Sequence, residues 1–394
     1  MYKTKLNNSL SYFLLFLIVM KKIIIASDSF KGSLSSAEVA RAVGAGIRKV
    51  LPDCRVVSVP VADGGEGTVE AMVTATKGEI VVCRVHDPLM NIIEARYGIL
   101  GDGNTAIIEM AAASGLPLVA PDRRNPMETT TYGTGELIKD ALVRGCANLL
   151  IGIGGSATND AATGMLQALG FRFLGEDGIE LGQGGKILEH IVDIDTSRVE
   201  EQVLNAEYTV ACDVNNPFSG ANGAAYVFAP QKGAGKATVE ILDAGMKHFA
   251  SVIYNRLHID VESIEGAGAA GGMGGGFAAF LGASLTKGVD MVLEALDFEG
   301  LITGADLIIT GEGKLDRQTA MGKAVMGVLS AARRQNIPVV AIGGQVEDKE
   351  MLDGLGFEAV LPVFPYPVPL EQAMRKDIAC ENIGKTIEAY LRGR

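Results

Sequence analysis

Five short segments of the chain combine a carboxylate with glycines or with hydrogen-bonding side chains. Each follows an apolar run and carries groups that could bind a metal ion or a phosphate. The segments are Asp28-Ser29-Phe30-Lys31-Gly32, Asp63-Gly64-Gly65-Glu66-Gly67, Ser156-Ala157-Thr158-Asn159-Asp160, Asp213-Val214-Asn215-Asn216 and Glu312-Gly313-Lys314-Leu315-Asp316. One acidic turn means little, because Asp and Gly are common turn residues. The repetition of the pattern at predicted strand ends favours a functional site.

This set of groups suits phosphoryl transfer to a small hydroxy compound. Carboxylates can hold Mg²⁺, which keeps several waters and phosphate oxygens among its ligands. Another carboxylate can accept the proton of the attacking hydroxyl group, while lysines and glycine-turn amides stabilise the charge on the transferring phosphoryl group. An acidic protein can bind ATP in this way, because Mg²⁺ and a few lysines cancel the charge locally.

The glycine-rich turns allow other interpretations. A Walker A loop is excluded, because the only Gly-Lys-Thr sequence, at Gly384, has Ala379 where the motif needs its first glycine. Segments 152–157 and 266–271 match the dinucleotide-binding fingerprint, but neither opens a clear βαβ unit. We expect the turn at 152–157 to lead into a helix whose N-terminus receives phosphate oxygens. Two alternatives stay open here, a nicotinamide-dependent hydroxy-acid oxidoreductase and a non-catalytic small-molecule-binding protein.

Other enzyme classes lack the residues that they need. Ser156 stands in Gly-Gly-Ser-Ala-Thr, which lacks the last glycine of the hydrolase motif G-x-S-x-G. The histidines are dispersed, and no combination of residues has the spacing of a zinc site. Those histidines are His86, His190, His248 and His258.

The composition limits the partners and the compartment. The chain has 394 residues and a net charge of −12, which argues against a nucleic-acid partner. Its 5 cysteines are dispersed, as is typical of reduced thiols in a cytoplasmic protein. The apolar run at 12–20 is too short to span a membrane and is followed by two lysines. We therefore expect no membrane partner, and we expect residues 1–19 to be an extension outside the fold.

Both ends of the chain alternate strands with helices. Residues 22–27 read as a buried strand, and Ser35 with Glu38 forms a capping-box pattern before an amphipathic helix. Near the C-terminus, the apolar run that ends at Thr310 predicts a strand, and Gly-Glu-Gly-Lys-Leu-Asp after it predicts a turn. The middle differs, with a hairpin predicted across 101–104 and a long helix over 236–257. The fold class is therefore α/β, with a parallel-sheet domain of residues 20–82 plus 287–394 and a mixed α/β domain of residues 83–286 inserted into it.

Eight motifs in collinear order carry a resemblance to a known family. They are DSFKGSLSSAEVA, PVADGGEGT, TTTYGTGELI, IGIGGSATND, ACDVNNP, APQKGA, GAGAAGG and ADLIITGEGKLDRQT. From about Met20 to the C-terminus, the chain resembles the type-1 glycerate kinases. It departs from the family at Ala161 and Ala162, where the family usually has glycines, and at Glu265, where the family usually has proline.

The resemblance implies ATP-dependent phosphorylation of D-glycerate, generally to 2-phosphoglycerate and less often to 3-phosphoglycerate. It also implies that the split domain is flavodoxin-like (Rossmann-like) and that the inserted domain is mixed α/β. We expect a monomer or a homodimer with its active site in the cleft between the two domains, where small ligands often bind.

The residue roles for this reaction are physical hypotheses. Asp213 is the expected general base, because Asn215 and Asn216 could orient a hydroxyl group beside it. Asp160 is the alternative base.

The remaining groups are expected to bind the substrates and the metal. Lys31 and Lys314 are expected to contact phosphate or the glycerate carboxylate. Further expected contacts to substrate or nucleotide come from Asp28, Ser29, Gly154, Gly155, Ser156 and Asn159. The expected metal ligands, direct or through water, are Glu312 and Asp316. Asp63 and Glu66 are expected to hold either the metal or the second hydroxyl group of the substrate.

Overall fold

The computed structural model describes residues 20–62, 64–65, 67–321, 324–364, 366 and 368–394. The expectations for residues 1–19, Asp63 and Glu66 lie outside these described residues. Within them, no helix is both long enough and apolar enough to cross a membrane.

The elements alternate along most of the chain. In chain order, the strands are β1 Lys22–Ser27, β2 Arg55–Ser58, β3 Glu79–His86, β4 Ile92–Ile99, β5 Thr105–Glu109, β6 Asn148–Gly152, β7 Arg172–Leu174, β8 Asp193–Asp195, β9 Glu207–Ala211, β10 Ser284–Thr286, β11 Leu307–Leu315, β12 Val339–Val346 and β13 Ala359–Pro362. The α-helices are α1 Ser36–Val50, α2 Thr68–Thr76, α3 Ala111–Ser114, α4 Tyr132–Val143, α5 Thr163–Ala168, α6 Glu201–Asn205, α7 Ala224–Phe228, α8 Lys236–Leu257, α9 Ala269–Leu281, α10 Gly288–Ala295, α11 Phe298–Ile302, α12 Ala324–Arg334, α13 Lys349–Asp353, α14 Leu370–Ala373 and α15 Lys376–Gly393.

One compact unit combines the two ends of the chain, Met1–Asp63 and Val292–Arg394. Its sheet has the order β13-β12-β11-β1-β2, and every neighbouring pair is parallel. Renumbered within the unit, this order is 2-1-3-4-5, which is the flavodoxin-like arrangement. The predicted α/β fold with a discontinuous parallel-sheet domain is therefore confirmed. In this arrangement the sheet reverses its winding between β1 and β11, and ligands bind at such a point.

Local sequence explains how this unit packs. The run Ile23-Ile24-Ile25 is completely buried, as a central parallel strand requires. The predicted capping box of α1 is confirmed, because the amide of Glu38 donates to Ser35 Oγ at 3.3 Å and the amide of Ser35 donates to the Glu38 carboxylate at 2.8 Å. Helix α1 packs on α15, and a Cβ added at Gly46 would lie 2.6 Å from the carbonyl oxygen of Gly384. The glycine at 46 therefore allows the two helices to approach closely.

The second unit, Gly64–Met291, contains a mixed sheet of order β10-β9-β6-β5-β4-β3. Strands β5, β6, β9 and β10 are parallel, whereas β3 and β4 are antiparallel to their neighbours. The predicted hairpin across 101–104 joins β4 to β5, and the predicted long helix over 236–257 coincides with α8. The parallel strands bring their carboxyl ends to one edge of this sheet, and that edge carries the predicted site residues of the unit.

The two units divide the chain after Asp63 and after Met291, whereas the sequence suggests boundaries near 83 and 286. The difference at the first boundary arises from α2. This helix packs against β4 and β5 and so lies with the mixed sheet rather than with the parallel one.

Candidate active site

In the first unit, two carboxylates lie at the point where the sheet reverses its winding. Asp28 directly follows β1, and Glu312 lies in β11, the neighbouring strand. The amide of Asp28 donates to the carbonyl oxygen of Gly311 at 2.9 Å, which holds the end of β1 against β11. Asp28 is 7% exposed and Glu312 is 8% exposed. The structure thus brings together two of the predicted site residues, and both are largely withdrawn from solvent.

The turn predicted after Thr310 is wrong, because β11 continues to Leu315. Beyond Thr310, Glu312 pairs with Gly343 and Lys314 pairs with Gln345, so the backbone stays in the sheet. The glycines serve close packing instead of a turn. A Cβ added at Gly311 would lie 2.5 Å from the carbonyl oxygen of Ile342.

The remaining charged groups of this segment contact one another. Lys314 Nζ lies 3.4 Å from Asp316 Oδ2 and 3.0 Å from Glu347 Oε2. The hydrogen bond with Glu347 raises the pKa of Lys314 above its usual value. Thr319 Oγ1 donates to Glu312 Oε1 at 2.6 Å, and the amide of Gln318 donates to Asp316 Oδ1 at 2.8 Å. A phosphate that binds Lys314 would therefore replace carboxylate partners.

The loop after β1 carries two further predicted residues. Lys31 is exposed and Ser29 is half-buried. The amide of Ser29 donates to Asp28 Oδ1 at 2.6 Å, and the amide of Phe30 donates to the carbonyl oxygen of Leu34 at 2.8 Å. This tight loop presents Lys31 to solvent beside the end of β1.

The carboxylates of the first unit could bind Mg²⁺ if substrate phosphates and water supplied the remaining ligands. No group of three or more His, Cys, Asp or Glu side chains among the described residues is arranged to hold a metal ion. Mg²⁺ commonly takes one or two protein carboxylates and completes its shell with water and substrate phosphates. Asp28, directly after β1, and Glu312, within the neighbouring strand β11, fit that requirement.

In the second unit, Asp213 lies at the edge formed by the carboxyl ends of β6 and β9. Gly152 pairs with Ala211 at that edge, so the loops that follow the two strands begin side by side. Asp213 is exposed, and its Oδ1 accepts a hydrogen bond of 3.0 Å from the amide of Gly288, the first residue of α10. The positive end of a helix favours an ionised carboxylate. Asp213 can therefore accept a proton or a hydroxyl hydrogen bond from solvent-accessible space.

The two asparagines after Asp213 differ in their surroundings. Asn215 is exposed. Asn216 Nδ2 donates to the carbonyl oxygen of Asn222 at 2.8 Å, and its own carbonyl oxygen accepts from the amide of Gly268 at 3.0 Å. Asn216 therefore holds the loop, whereas Asn215 is the one available to a ligand.

The loop after β6 presents backbone amides to solvent. Gly154 and Gly155 are exposed, and Gly155 has a φ of 77°, in the left-handed region that favours glycine. The amides of Gly154, Gly155 and Ser156 donate no hydrogen bond to any residue that the structure describes. Successive unpaired amides in a glycine turn can receive an anion.

The helix expected directly after this glycine turn is displaced. Residues 153–162 form an irregular loop, and α5 begins only at Thr163 and is 6 residues long. The prediction that phosphate would meet a helix N-terminus here is therefore wrong. Neither fingerprint match has the strand-to-helix turn that dinucleotide binding needs, because segment 266–271 follows a 3₁₀ turn, Val261–Ser263, rather than a strand.

Asp160 and Asn159 lie beneath this loop. Both are completely buried, at 0% exposure. Asp160 Oδ2 accepts hydrogen bonds from the amide and the hydroxyl of Thr131 at 2.8 and 2.9 Å, while its Oδ1 is buried without a hydrogen-bond partner among the described residues. Burial raises the pKa of Asp160. Asn159 Nδ2 donates to Met246 Sδ at 3.3 Å. Because both side chains are buried and bonded inside the protein, Asp160 and Asn159 are better placed to support the loop than to contact a substrate directly.

Two further residues at this edge escaped the sequence prediction. Lys232 is 1% exposed, and its Nζ donates to Ser156 Oγ and to the carbonyl oxygen of Thr158, both at 2.6 Å. Its only signal in the sequence is its place in the motif APQKGA. Glu109, the last residue of β5, accepts from the amide of Val69 near the start of α2 at 3.0 Å, and burial raises its pKa. Its signal is a carboxylate at the end of an apolar run.

The chain is similar to known proteins over nearly its whole length. Residues 23–392 match the model of the glycerate kinase family. The chain is 49% identical over 377 residues to the glycerate 2-kinase of Escherichia coli K12, covering 94% of this chain and 99% of that protein. It is 47% identical over 370 residues to a glycerate kinase of Halalkalibacterium halodurans, covering 93% and 97%.

A solved structure is similar as well. A crystal structure from Salmonella typhimurium LT2, assigned as glycerate kinase 2, superposes with a TM-score of 0.87 at 46% identity and covers 94% of this chain and 97% of its own. The chain therefore belongs to the glycerate kinase family, whose members are kinases that phosphorylate an alcohol group.

Proposed function

We propose that the protein transfers the γ-phosphoryl group of ATP to the 2-hydroxyl group of D-glycerate. The products are ADP and 2-phosphoglycerate. The relatives named glycerate kinase and glycerate 2-kinase, which match nearly the whole chain, support this assignment. The nicotinamide-dependent alternative is not supported, because neither fingerprint match has the strand-to-helix turn that dinucleotide binding needs.

One observation carries the proposal at the level of the site. The exposed carboxylate of Asp213 lies at the same sheet edge as a loop whose Gly154 and Gly155 amides donate to no described residue. A carboxylate next to anion-receiving amides combines a base for the hydroxyl group with donors for phosphoryl or carboxylate oxygens.

The reaction follows from these groups. Asp213 accepts the proton of the substrate hydroxyl, whose oxygen attacks the γ-phosphorus, and the bond from that phosphorus to the β–γ bridging oxygen breaks. The leaving oxygen stays on ADP, and the proton passes from Asp213 to solvent. Asn215 orients the hydroxyl group, while Asn216 holds the loop. Asp160 and Asn159 support the glycine loop from below.

The nucleotide and its cation are assigned to the first unit. Mg²⁺, when bound, neutralises charge on the phosphates. Asp28 and Glu312 are the proposed carboxylates for it, with Asp316 acting through water. Lys31 and Lys314 contact phosphate oxygens or the glycerate carboxylate, and Ser29 supplies a hydroxyl.

Several expectations from the sequence remain predictions. Asp63 and Glu66 stay proposed as ligands of the metal or of the second substrate hydroxyl. The cleft between domains as the place of the site, a monomeric or homodimeric state and a cytoplasmic location also stay predictions.

Incubation with ATP, Mg²⁺ and D-glycerate tests the proposal. We expect ADP release that depends on D-glycerate, and a phosphorus NMR spectrum of a phosphate ester on carbon 2. An ester on carbon 3 would correct the regiochemistry. Reduction of NAD(P)⁺ without ADP release would support the oxidoreductase instead, and binding without turnover would support a non-catalytic binding protein.

The base assignment predicts a large loss of kcat in Asp213→Asn. The asparagine oxygen can still accept from the amide of Gly288, so the loop keeps its anchor while the base is lost. A general base contributes roughly 10²–10⁴-fold, and we expect kcat to fall within that range. The control is Asp177→Asn, because exposed Asp177 also accepts from a backbone amide, that of Ile179 at 2.9 Å. A near-normal kcat in Asp213→Asn would refute the assignment.

A further inference from the structure

We propose that Lys232 is a positioning residue that makes Ser156 a hydrogen-bond donor to an anionic oxygen of a substrate bound at the loop formed by residues 154–156. The ligand oxygen belongs to a phosphoryl group or to a carboxylate. The inference rests on the proposed function, because it takes ATP and D-glycerate as the anions at hand.

Lys232 is buried behind the loop. Its side chain is 1% exposed, and among the described residues it forms no ion pair. A buried ammonium group without an ionic partner is unfavourable unless its hydrogen bonds are satisfied. Two neutral oxygens, Ser156 Oγ and the carbonyl oxygen of Thr158, take up this charge at 2.6 Å each. The burial of the charge directly behind the loop calls for a function.

The charge of Lys232 determines the direction of its hydrogen bond with Ser156. An ammonium group can only donate, whereas a serine hydroxyl has one hydrogen and two acceptor lone pairs. Ser156 Oγ must therefore accept from Lys232, and its own hydrogen must point elsewhere. No described residue accepts that hydrogen. The bond from a charged donor also polarises the hydroxyl group and strengthens it as a donor.

The surroundings of Ser156 contain further donors. The two preceding residues, Gly154 and Gly155, are exposed, and a Cβ added at Gly154 would meet nothing within 4 Å. The amides of these glycines and of Ser156 also donate to no described residue. Ser156 itself is 6% exposed, so the exposed amides of Gly154 and Gly155 form the accessible part of this group of donors. Donors that no described residue engages suit an anion and not a cation.

The environment of Lys232 makes its protonation state sensitive to nearby charges. Burial lowers the pKa of Lys232 to about 7, and the attraction of Asp160 opposes that effect. An anion that binds at the loop favours the ammonium form in the same manner. Ligand binding and the charge of Lys232 should therefore support each other.

The test uses the whole chain and compares Lys232→Met, Ser156→Ala and the double variant. Calorimetric titrations with Mg²⁺ and a non-hydrolysable ATP analogue, and separately with D-glycerate, give Kd for each anion. We expect both single variants to raise the Kd of the same one of the two ligands about 10–100-fold, as for loss of a hydrogen bond to a charged group. The weakened ligand identifies the source of the anionic oxygen.

The double variant separates positioning from general damage. If Lys232 acts through Ser156, the double variant binds no more weakly than Ser156→Ala alone. If the losses multiply, Lys232 acts independently and the proposal is wrong. The matched control is Lys186→Met, because Lys186 is an exposed lysine paired with Glu128, and it should leave both Kd values unchanged.

Two further variants keep the test decisive if Lys232→Met does not fold. Lys232→Arg keeps a positive donor and should bind within about 5-fold of wild type, whereas Lys232→Gln, a neutral donor, should lose about tenfold. Equal binding by these two variants would overturn the proposal. Wild-type protein that lacks turnover but shows the Lys232-dependent binding would refute the kinase activity and leave this inference standing.

Discussion

Lys232 shows how one buried charge links stability to pH. Its pKa falls to about 7 from an ordinary value of 10.5, because burial penalises the ammonium form. Between these values the unfolded chain binds more protons than the folded chain, so this lysine makes the folded state more stable as the pH rises. Its stabilising contribution is present above pH 10.5 and is lost as the pH falls through about 7.

Lys232→Met should remove this dependence. We expect the free energy of unfolding of wild type, minus that of the variant, to rise between pH 7 and pH 10 by up to about 1.4 kcal/mol per pH unit. Because Asp160 attracts the Lys232 ammonium group, the measured difference also includes the change in the titration of Asp160 that follows the loss of that charge. Urea unfolding at several pH values measures the difference, and Lys186→Met provides the comparison. Parallel stability curves for wild type and Lys232→Met would contradict the argument.

The burial of individual site residues was not readable from the sequence. A lysine in a motif such as APQKGA is normally expected at the surface, because lysines are almost never fully buried. Asp160 is a predicted site residue, but it is 0% exposed, and its Oδ2 accepts from the amide of Thr131, a residue distant in sequence. The sequence thus predicts which segments carry chemistry, while tertiary contacts decide which of their side chains are buried.

At the scale of elements, β11 shows that glycines after an apolar run occur within a continuing strand as well as in a turn. The pattern Gly-Glu-Gly after an apolar run predicts a turn, yet here the strand continues because β12 runs beside it as far as Val346. Glycine permits both a reversal of the chain and a close approach between neighbours. Only the identity of the neighbouring strand decides between them, and that is not local information. By contrast, the all-isoleucine run in β1 and the capping box of α1 are local signals, and both were predicted correctly.

The two glycines of β11 should therefore respond differently to alanine. In Gly311→Ala the new Cβ would lie 2.5 Å from both the carbonyl oxygen and Cγ1 of Ile342, so the sheet must shift. We expect a loss of about 1–3 kcal/mol in the free energy of unfolding. In Gly313→Ala the nearest atom, Cα of Phe30, is 3.4 Å away, and we expect a loss below about 1 kcal/mol. Denaturant unfolding of both variants tests this, and equal losses would show that backbone proximity is not the reason for the glycine at 311.

At the scale of the whole molecule, the sequence indicated a fold split between the two ends of the chain, because both ends alternate strands and helices. It did not show that α2 belongs with the mixed sheet, since a helix carries no signal for the sheet on which it packs. The family resemblance, which the family model over residues 23–392 confirms, does not depend on such boundaries.

The chain holds separate apolar cores, which predicts separable unfolding. Ile309 lies in the core of the first unit and Phe249 in the core of the second, and both are 0% exposed. Truncation of such residues costs about 2–5 kcal/mol, and chains with several domains often unfold in more than one step. We expect Ile309→Ala to speed hydrogen exchange in peptides of residues 20–62 and 292–394, and Phe249→Ala to speed it in peptides of residues 64–291.

Hydrogen exchange read by mass spectrometry distinguishes these regions without ligand. Leu370→Ala and Ile179→Ala serve as controls in the two units, because their side chains are 74% and 66% exposed and their truncation should change little. If each core substitution accelerated exchange equally throughout the chain, the protein would unfold as one cooperative body. If exchange accelerated only in the unit that carries the substitution, each core would stabilise its own unit.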